Sequence, residues 1–301
     1  MKKVLFATTA LVATAGVAAA DVTFGGYGRF GIKYDETGSA TGGSTTDLTS
    51  RFRLQIDATA ESDAGVVVGA RARIQADGNG TTNGVGADFN GVRYFARSGG
   101  FEVGVGNIFG ALESMPGQYP IDLGLTGLGY DYTVFNDRGD QYSSTGDGAP
   151  NGVEVLYSAG DLAVHVSASD QNDRVAGYVA YTWSGWTFAV GGQDSDSARD
   201  TEWTASAGGS FGIADVTLAY ADNGIGGDRV VLAARFDVGA ATDVEVYVAD
   251  NSGATETGVA NDTGYGIDFN HDLGGGVSLR GGVAQRISGN TQADMGVRFN
   301  F

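Results

Sequence analysis

Alternation of apolar and polar residues, sustained over segment after segment and reset by short glycine-bearing turns, leaves this chain few folds to choose from. In residues 22–34, Val22, Phe24, Phe30, Ile32 and Tyr34 share one phase with Gly26 and Gly28, while Thr23, Tyr27, Arg29 and Lys33 share the other. In 51–60, Phe52, Leu54, Ile56, Ala58 and Ala60 alternate with Arg51, Arg53, Gln55, Asp57 and Thr59. Successive side chains on a strand point to opposite faces, so each segment has one apolar and one polar face. The same period recurs in 66–76, 91–97, 101–106, 153–158, 162–169, 174–183, 186–192, 201–211, 213–221, 229–236, 243–249, 264–270, 276–286 and 291–301, sixteen segments in all. Connections alternate as well. Those at 98–100, 159–160, 184–185, 212, 238–240 and 273–275 are brief and contain glycine, whereas 35–50, 77–86 and 251–263 are longer and polar. Such a pattern predicts an antiparallel meander with turns at one end and loops at the other.

A water-soluble sandwich would bury its apolar faces against each other. Here the polar faces carry arginines, and ten-residue alternating segments separated by turns are the signature of a transmembrane β-barrel. Closure gives every strand a backbone partner without water. The 51 glycines suit tight turns, and all three prolines lie within 116–150, outside the segments they would interrupt. Phe101, Trp183, Trp186, Phe211, Phe236, Phe299 and Phe301 gather beside the short turns, where an interfacial aromatic girdle belongs. The expected fold is therefore all-β: a transmembrane antiparallel barrel of sixteen strands.

The first twenty residues stand apart. Lys2 and Lys3 precede a small apolar stretch, and Ala18, Ala19 and Ala20 form a cleavage signal before Asp21. Residues 1–20 are expected to be a secretory signal peptide and 21–301 the barrel. Without Lys2 and Lys3, 16 basic residues face 36 acidic ones, a net charge of −20. That argues against nucleic acid and against docking onto anionic membrane surfaces. The chain has no cysteine, which excludes a disulfide framework and thiolate metal sites. No later stretch is apolar for long enough to make a membrane helix.

One connection is out of scale. Residues 108–151 are too many for an ordinary loop, and unstructured loops of that length are usually functional. This stretch carries Glu113, Asp122, Asp131, Asp137, Asp140 and Asp147 against a single Arg138. The segments before it carry Arg29, Lys33, Arg51, Arg53, Arg71, Arg73, Arg93 and Arg97. An acidic loop thus follows a cationic stretch of wall.

Other motifs are weak. Gly26, Gly28 and Gly31 match G-x-G-x-x-G but lie inside a strand and open no helix, so a dinucleotide reading fails. His165 and His271 are the only histidines, too few for a metal site or triad without converging partners. Asn79-Gly80-Thr81 and Asn261-Asp262-Thr263 read as loop sequences. Asp131, Asp137 and Asp140, or Asp194, Asp196 and Asp200, are candidate calcium ligands together with backbone carbonyls, though neither set has the spacing of an EF-hand loop. An outer-membrane hydrolase would need His165 or His271 as its base. A glycine-rich secreted adhesin would need short internal repeats, and none is evident.

Taken over the whole mature chain, the leader, the sixteen segments, the long loop after the fifth and the ending 292–301, which stops at Phe301, resemble the general porins of bacterial outer membranes, in particular the alphaproteobacterial, Rhodobacter-type group. The resemblance implies a homotrimer in the outer membrane that needs no cofactor, with calcium allowed at loops. Outer-membrane lipid, lipopolysaccharide and the barrel assembly machinery would be its partners, and Phe299 and Phe301 its assembly signal. It also implies that the loop after strand five folds into the barrel and narrows the pore. Glu113, Asp122, Asp131 and Asp137 would then face a basic wall of Arg29, Arg51, Arg53, Arg71, Arg73 and Arg93. The expected function is passive diffusion of small hydrophilic solutes and ions across a transverse charge field, with mild cation selectivity from the negative net charge. Tyr119, Tyr130, Tyr132 and Tyr142 keep a sugar-selective channel open as the alternative.

Overall fold

The computed structural model describes residues 20–38, 44–79, 87–135, 140–145, 151–197 and 201–301. The leader therefore lies almost wholly outside the described residues, and so does Asp137. The strands are β1 (Asp21–Asp35), β2 (Thr46–Glu61), β3 (Val67–Asn79), β4 (Asp88–Phe89), β5 (Arg93–Ser98), β6 (Phe101–Asn107), β7 (Asn151–Ala159), β8 (Leu162–Ser169) and β9 (Val175–Trp183). They continue with β10 (Trp186–Asp194), β11 (Glu202–Phe211), β12 (Ala214–Asp222), β13 (Asp228–Gly239), β14 (Thr242–Ser252), β15 (Thr263–Gly274), β16 (Val277–Gln285) and β17 (Thr291–Asn300). Each pairs antiparallel with its sequence neighbours, and β1 pairs with β17, so the sheet closes. β4 and β5 both pair with β3 and together form one barrel strand, which makes sixteen.

That interruption has a local cause. The Asn90 carboxamide oxygen accepts from the Arg73 N–H at 2.6 Å, and its nitrogen donates to the Ser143 carbonyl, so a side chain replaces part of the ladder. A second difference from expectation lies at 46–50, expected as loop but part of β2 and paired with β1 from Thr46↔Tyr34 onward. Threonine and serine there carry little hydropathic signal, but the ladder needs only their backbone. The one helical element described is a single 3-10 turn, Gly224–Gly226.

The outer face is apolar and exposed: Val22, Phe24, Phe30, Ile32, Val103, Val105, Val153, Val155, Phe188, Val190, Val230 and Leu232 alternate with inward residues. Water would be a poor solvent for such a surface, and a bilayer suits it. At the seam the Phe301 N–H donates to the Gly26 carbonyl (3.1 Å) and the Gly26 N–H to the Phe301 carbonyl (2.9 Å). The Phe301 ring stacks on Phe52 at 5.5 Å, and the Phe299 ring lies so close over Gly28 that any Cβ there would strike it.

The apolar core lies inside the barrel, and its main contributor is the long loop. Ala111, Leu112, Met115, Ile121, Leu123, Leu128, Tyr132, Val134 and Phe135 are buried against Ala176, Ala180, Ala189, Ala219, Ala221, Val231, Ala233, Tyr247, Ala249 and Ala284. These partners stand on the inward phase of β9, β10, β12, β13, β14 and β16. The expectation of a polar inner face on nearly every strand thus fails on this side. Alanine occupies eight of those ten positions and leaves room for a loop to lie against the wall.

Candidate functional site

The charged part of the lumen begins with two strands that carry the same heptapeptide pattern. Arg51-x-Arg53-x-Gln55-x-Asp57 on β2 and Arg71-x-Arg73-x-Gln75-x-Asp77 on β3 pair antiparallel, so the pattern meets itself reversed. Cross-strand partners are the units of sheet stabilisation, and here they form a palindrome. The outer pairs are ionic: Arg51 Nε donates to Asp77 at 2.5 Å, and Arg71 donates to Asp57 at 2.6 and 3.3 Å. The inner pairs are neutral acceptors: Arg53 Nε donates to the Gln75 amide oxygen at 2.7 Å and Arg73 Nε to that of Gln55 at 3.0 Å. Each glutamine in turn donates to the aspartate two residues along, at 2.7 Å. The sequence carried this repeat in plain view, but a phase-by-phase reading treats each strand alone and passes over it.

Beside this wall the loop is fastened from its root. Glu154 on β7 is fully buried and accepts from Arg93 Nε (2.5 Å), His165 Nε2 (2.9 Å), and the N–H groups of Phe109 (3.0 Å) and Gly110 (3.3 Å). Arg93 also donates to Glu102 and lies under the Phe109 ring at 4.0 Å. His165, expected to be incidental, is part of this knot. Arg93, expected in the basic wall, is buried at the loop root instead, because two carboxylates and a ring enclose it.

Further along, wall carboxylates bind loop backbone. Glu245 accepts from Asp122 N–H, Asp268 from Gly124 N–H, and Asp294 from the N–H groups of Leu125 and Thr126 and the Thr126 hydroxyl. The Arg29 guanidinium donates to the Leu125 carbonyl at 2.6 Å, Arg229 to that of Thr133 at 3.2 Å, and Ser206 to that of Pro116 at 2.6 Å. Buried backbone groups need partners, and a loop inside a barrel finds them on the wall.

The loop acids meet arginines that the sequence reading did not single out. Asp131 accepts from Arg286 at 2.6 and 3.0 Å and from the Ile287 N–H at 2.9 Å. Burial acts to lower the Arg286 pKa, but the Asp131 carboxylate outweighs it and holds the guanidinium above its usual range. Gly129, at φ +86°, lies so close under that guanidinium that a Cβ would collide with it. Asp122, more than half exposed, bridges Arg280 (2.7 Å) and Arg298 (3.1 Å). Asp140 pairs with Arg174 at 3.3 Å and accepts from the Ser169 hydroxyl. Asp122 and Asp131 therefore pair with β16, β17 and the loop between them, not with the arginines of β2 and β3. The loop crosses the lumen to that side because its apolar residues pack there.

Asp131 and Asp140 do not converge on a cation. Asp131 pairs with Arg286 and Asp140 with Arg174, and among the described residues no group of three His, Cys, Asp or Glu side chains could hold a metal. Asp137, the third member of the expected calcium set, lies outside the described residues.

A cavity of about 680 Å³ lies open between wall and loop. Arg51, Arg53, Arg73 and Gln75, with Tyr142 against them, line one side, and Glu113, Ser114, Tyr119 and Tyr130 the other. Glu113 accepts from the Tyr119 hydroxyl at 2.6 Å, and Tyr142 lies under Arg73 at 4.6 Å. Tyr132 is buried against Tyr247, away from the opening, and burial raises its phenol pKa. Arg71 lies beside this cavity, tied to Asp57, and Arg29 reaches the loop farther round.

A closed sixteen-stranded barrel with an apolar exterior and a lumen narrowed by its own loop defines an outer-membrane channel. A family profile described as Gram-negative porin matches residues 7–291. The porins of Fuscovulum blasticum and Rhodobacter capsulatus are each 30% identical to the chain, over 93% of its length and all of theirs. A triple mutant of the Rhodopseudomonas blastica porin superposes with a TM-score of 0.82 at 27% identity, covering 93% of this chain and all of that one. The chain belongs to the Gram-negative porin family and is an outer-membrane protein. Its fold and family are those of a general diffusion channel, and its homologues are channels rather than enzymes.

Proposed function

We propose that the barrel is a passive pore for small hydrophilic solutes and ions, with a transverse field at its narrowest point. The observation that carries this reading is the cavity in which Arg51, Arg53 and Arg73 stand across from Glu113. Low-dielectric walls close to opposed charges focus the potential, so polar solutes are oriented and apolar ones pass poorly. The net charge of −20 for residues 21–301 supports mild cation selectivity in simple salts. The channel needs no cofactor. Residues 1–20 would direct export. Phe299 and Phe301, at the seam, would be read by the barrel assembly machinery. The apolar exterior suits a homotrimer among outer-membrane lipid and lipopolysaccharide. A sugar-selective pore is the second reading, favoured by Tyr119 and Tyr130, whose rings meet edge to face at 6.4 Å on the cavity's loop side.

Planar-bilayer recording of the purified protein tests the proposal. Stepwise ohmic conductance that closes in threes, with a reversal potential on the cation side, is the expected result. Absence of steps would overturn the channel, and a reversal potential favouring chloride would overturn the selectivity.

A further inference from the structure

Arg51 and Arg71 are neutralised by aspartates, Arg93 by glutamates, and Arg280, Arg286 and Arg298 by loop aspartates. Arg53 and Arg73 differ: among the described residues neither makes an ion pair with a carboxylate, and each donates its Nε to a glutamine instead. The palindrome causes this. Its inner rungs pair each arginine with a glutamine, which occupies Nε and fixes the plane of the guanidinium but contributes no negative charge. Arg53 thereby keeps both Nη groups, and Arg73 keeps one beyond the bond from its Nη1 to the Ser144 hydroxyl at 3.1 Å. The two residues are diagonal neighbours on adjacent strands, a spacing of about 7–8 Å between Cα atoms. Both line the same cavity.

Resting on the reading of this cavity as the channel's constriction, we propose that Arg53 and Arg73 form a binding station for small organic and inorganic oxyanions carrying two or more charges. Guanidinium groups held by Nε present their remaining N–H edges as a fork, which matches carboxylate and phosphate oxygens. Two such forks side by side favour a solute that can bridge them over one carrying a single charge. The hydroxyl-bearing loop side, with Tyr119 and Tyr130, suits a solute that is polar over its whole surface. A polyanion passing through would pause here, while potassium and chloride would not. The station coexists with overall cation preference, because the latter sums charge along the whole pore and the station is one local exception.

The test uses the full mature protein in planar bilayers in potassium chloride, with citrate, inorganic phosphate or acetate added at matched ionic strength. Citrate should interrupt the current reversibly, and acetate should not. Replacing Arg53 and Arg73 together by glutamine should weaken the interruption about tenfold or more, the scale of losing charge-assisted hydrogen bonds. Arg235→Gln, which removes a positive charge from a distant pair with Asp243, should leave it unchanged. Phosphate acting at lower concentration than citrate would assign the station to phosphoryl groups, and the reverse order to carboxylates. Equal blocking of wild type and double variant, equal loss in Arg235→Gln, or no difference between citrate and acetate would each overturn the proposal. If the channel conducts and citrate does nothing, only this inference fails. If no channel forms, the constriction reading fails, and calorimetric titration of the detergent-solubilised protein with citrate still decides whether Arg53 and Arg73 bind polyanions.

Discussion

The lumen has two walls built from the same alternating strands, and they do opposite things. On β2 and β3 the inward positions hold arginine, glutamine and aspartate, and the side chains stand in the opening. On β9 to β16 many inward positions hold alanine, and the loop covers them. The difference is side-chain volume on one phase of a strand. Alanines leave a trough wide enough for a folded loop to bury leucines and aromatics. Arginines fill their side and leave only an aperture. The barrel therefore sets its bore by where small inward residues end and long ones begin, and the loop's apolar residues choose the side on which the aperture does not lie.

The largest effect should come from removing that apolar grip. Leu123 and Leu128 have no solvent exposure. Replacing both with alanine should cost about 2–5 kcal/mol at each site, as buried leucines do. The loop should then leave the alanine wall while the barrel, whose strands pair independently of it, stays closed. Conductance steps should grow severalfold, and protease should cut between 111 and 135. Steps of wild-type size with a protected loop would show that hydrogen bonds alone keep it in place.

A smaller effect is expected at the polar fastening. Arg286→Ala leaves the Asp131 carboxylate buried, with the Ile287 N–H still donating to it. Uncompensated buried charge should cost about 3–5 kcal/mol, reduced to the extent that Asp131 takes up a proton or draws in water. Heat-induced unfolding of the loop, followed by the onset of proteolysis on warming, should begin at lower temperature. The double change Arg286→Gln with Asp131→Asn should recover part of the loss, since it removes the orphan charge. Wild-type melting in Arg286→Ala would mean that the pair contributes nothing to holding the loop.

How much of this could be read from the chain follows from the range of each signal. Alternation is local, so strand number and the position of the long loop were legible. The two walls were not. Alanine on an inward phase looks like a weakened polar face until something is seen lying on it. Asp122 and Asp131 look alike nine residues apart in one acidic loop. Which becomes buried against Arg286 and which stays in the lumen depends on contacts more than 150 residues away in sequence. The repeat at 51–57 and 71–77 was readable, but its meaning needed the register, which alone turns two copies into ionic outer rungs and amide inner rungs.

The smallest change in stability, and the sharpest in charge, belongs to Asp122. Its side chain is 58% exposed, and its partners Arg280 and Arg298 are 18% and 24% exposed. Pairs in contact with solvent contribute at most about 1 kcal/mol, so Asp122→Asn should melt almost as wild type does. Yet it frees two guanidinium groups inside the pore, and Arg298 already lies over the Tyr27 ring, which Arg53 flanks on β2. The basic wall would then extend from β2 and β3 round to β16. The reversal potential should move toward chloride, strongly in dilute salt and weakly near 1 M, where the screening length falls to about 3 Å. Asp131→Asn, taken as its counterpart, should loosen the loop and move the reversal potential less, because it frees one guanidinium group rather than two. If Asp122→Asn left the reversal potential unchanged in dilute salt while Asp131→Asn shifted it, the assignment of one acid to the lumen and the other to the fastening would be the wrong way round.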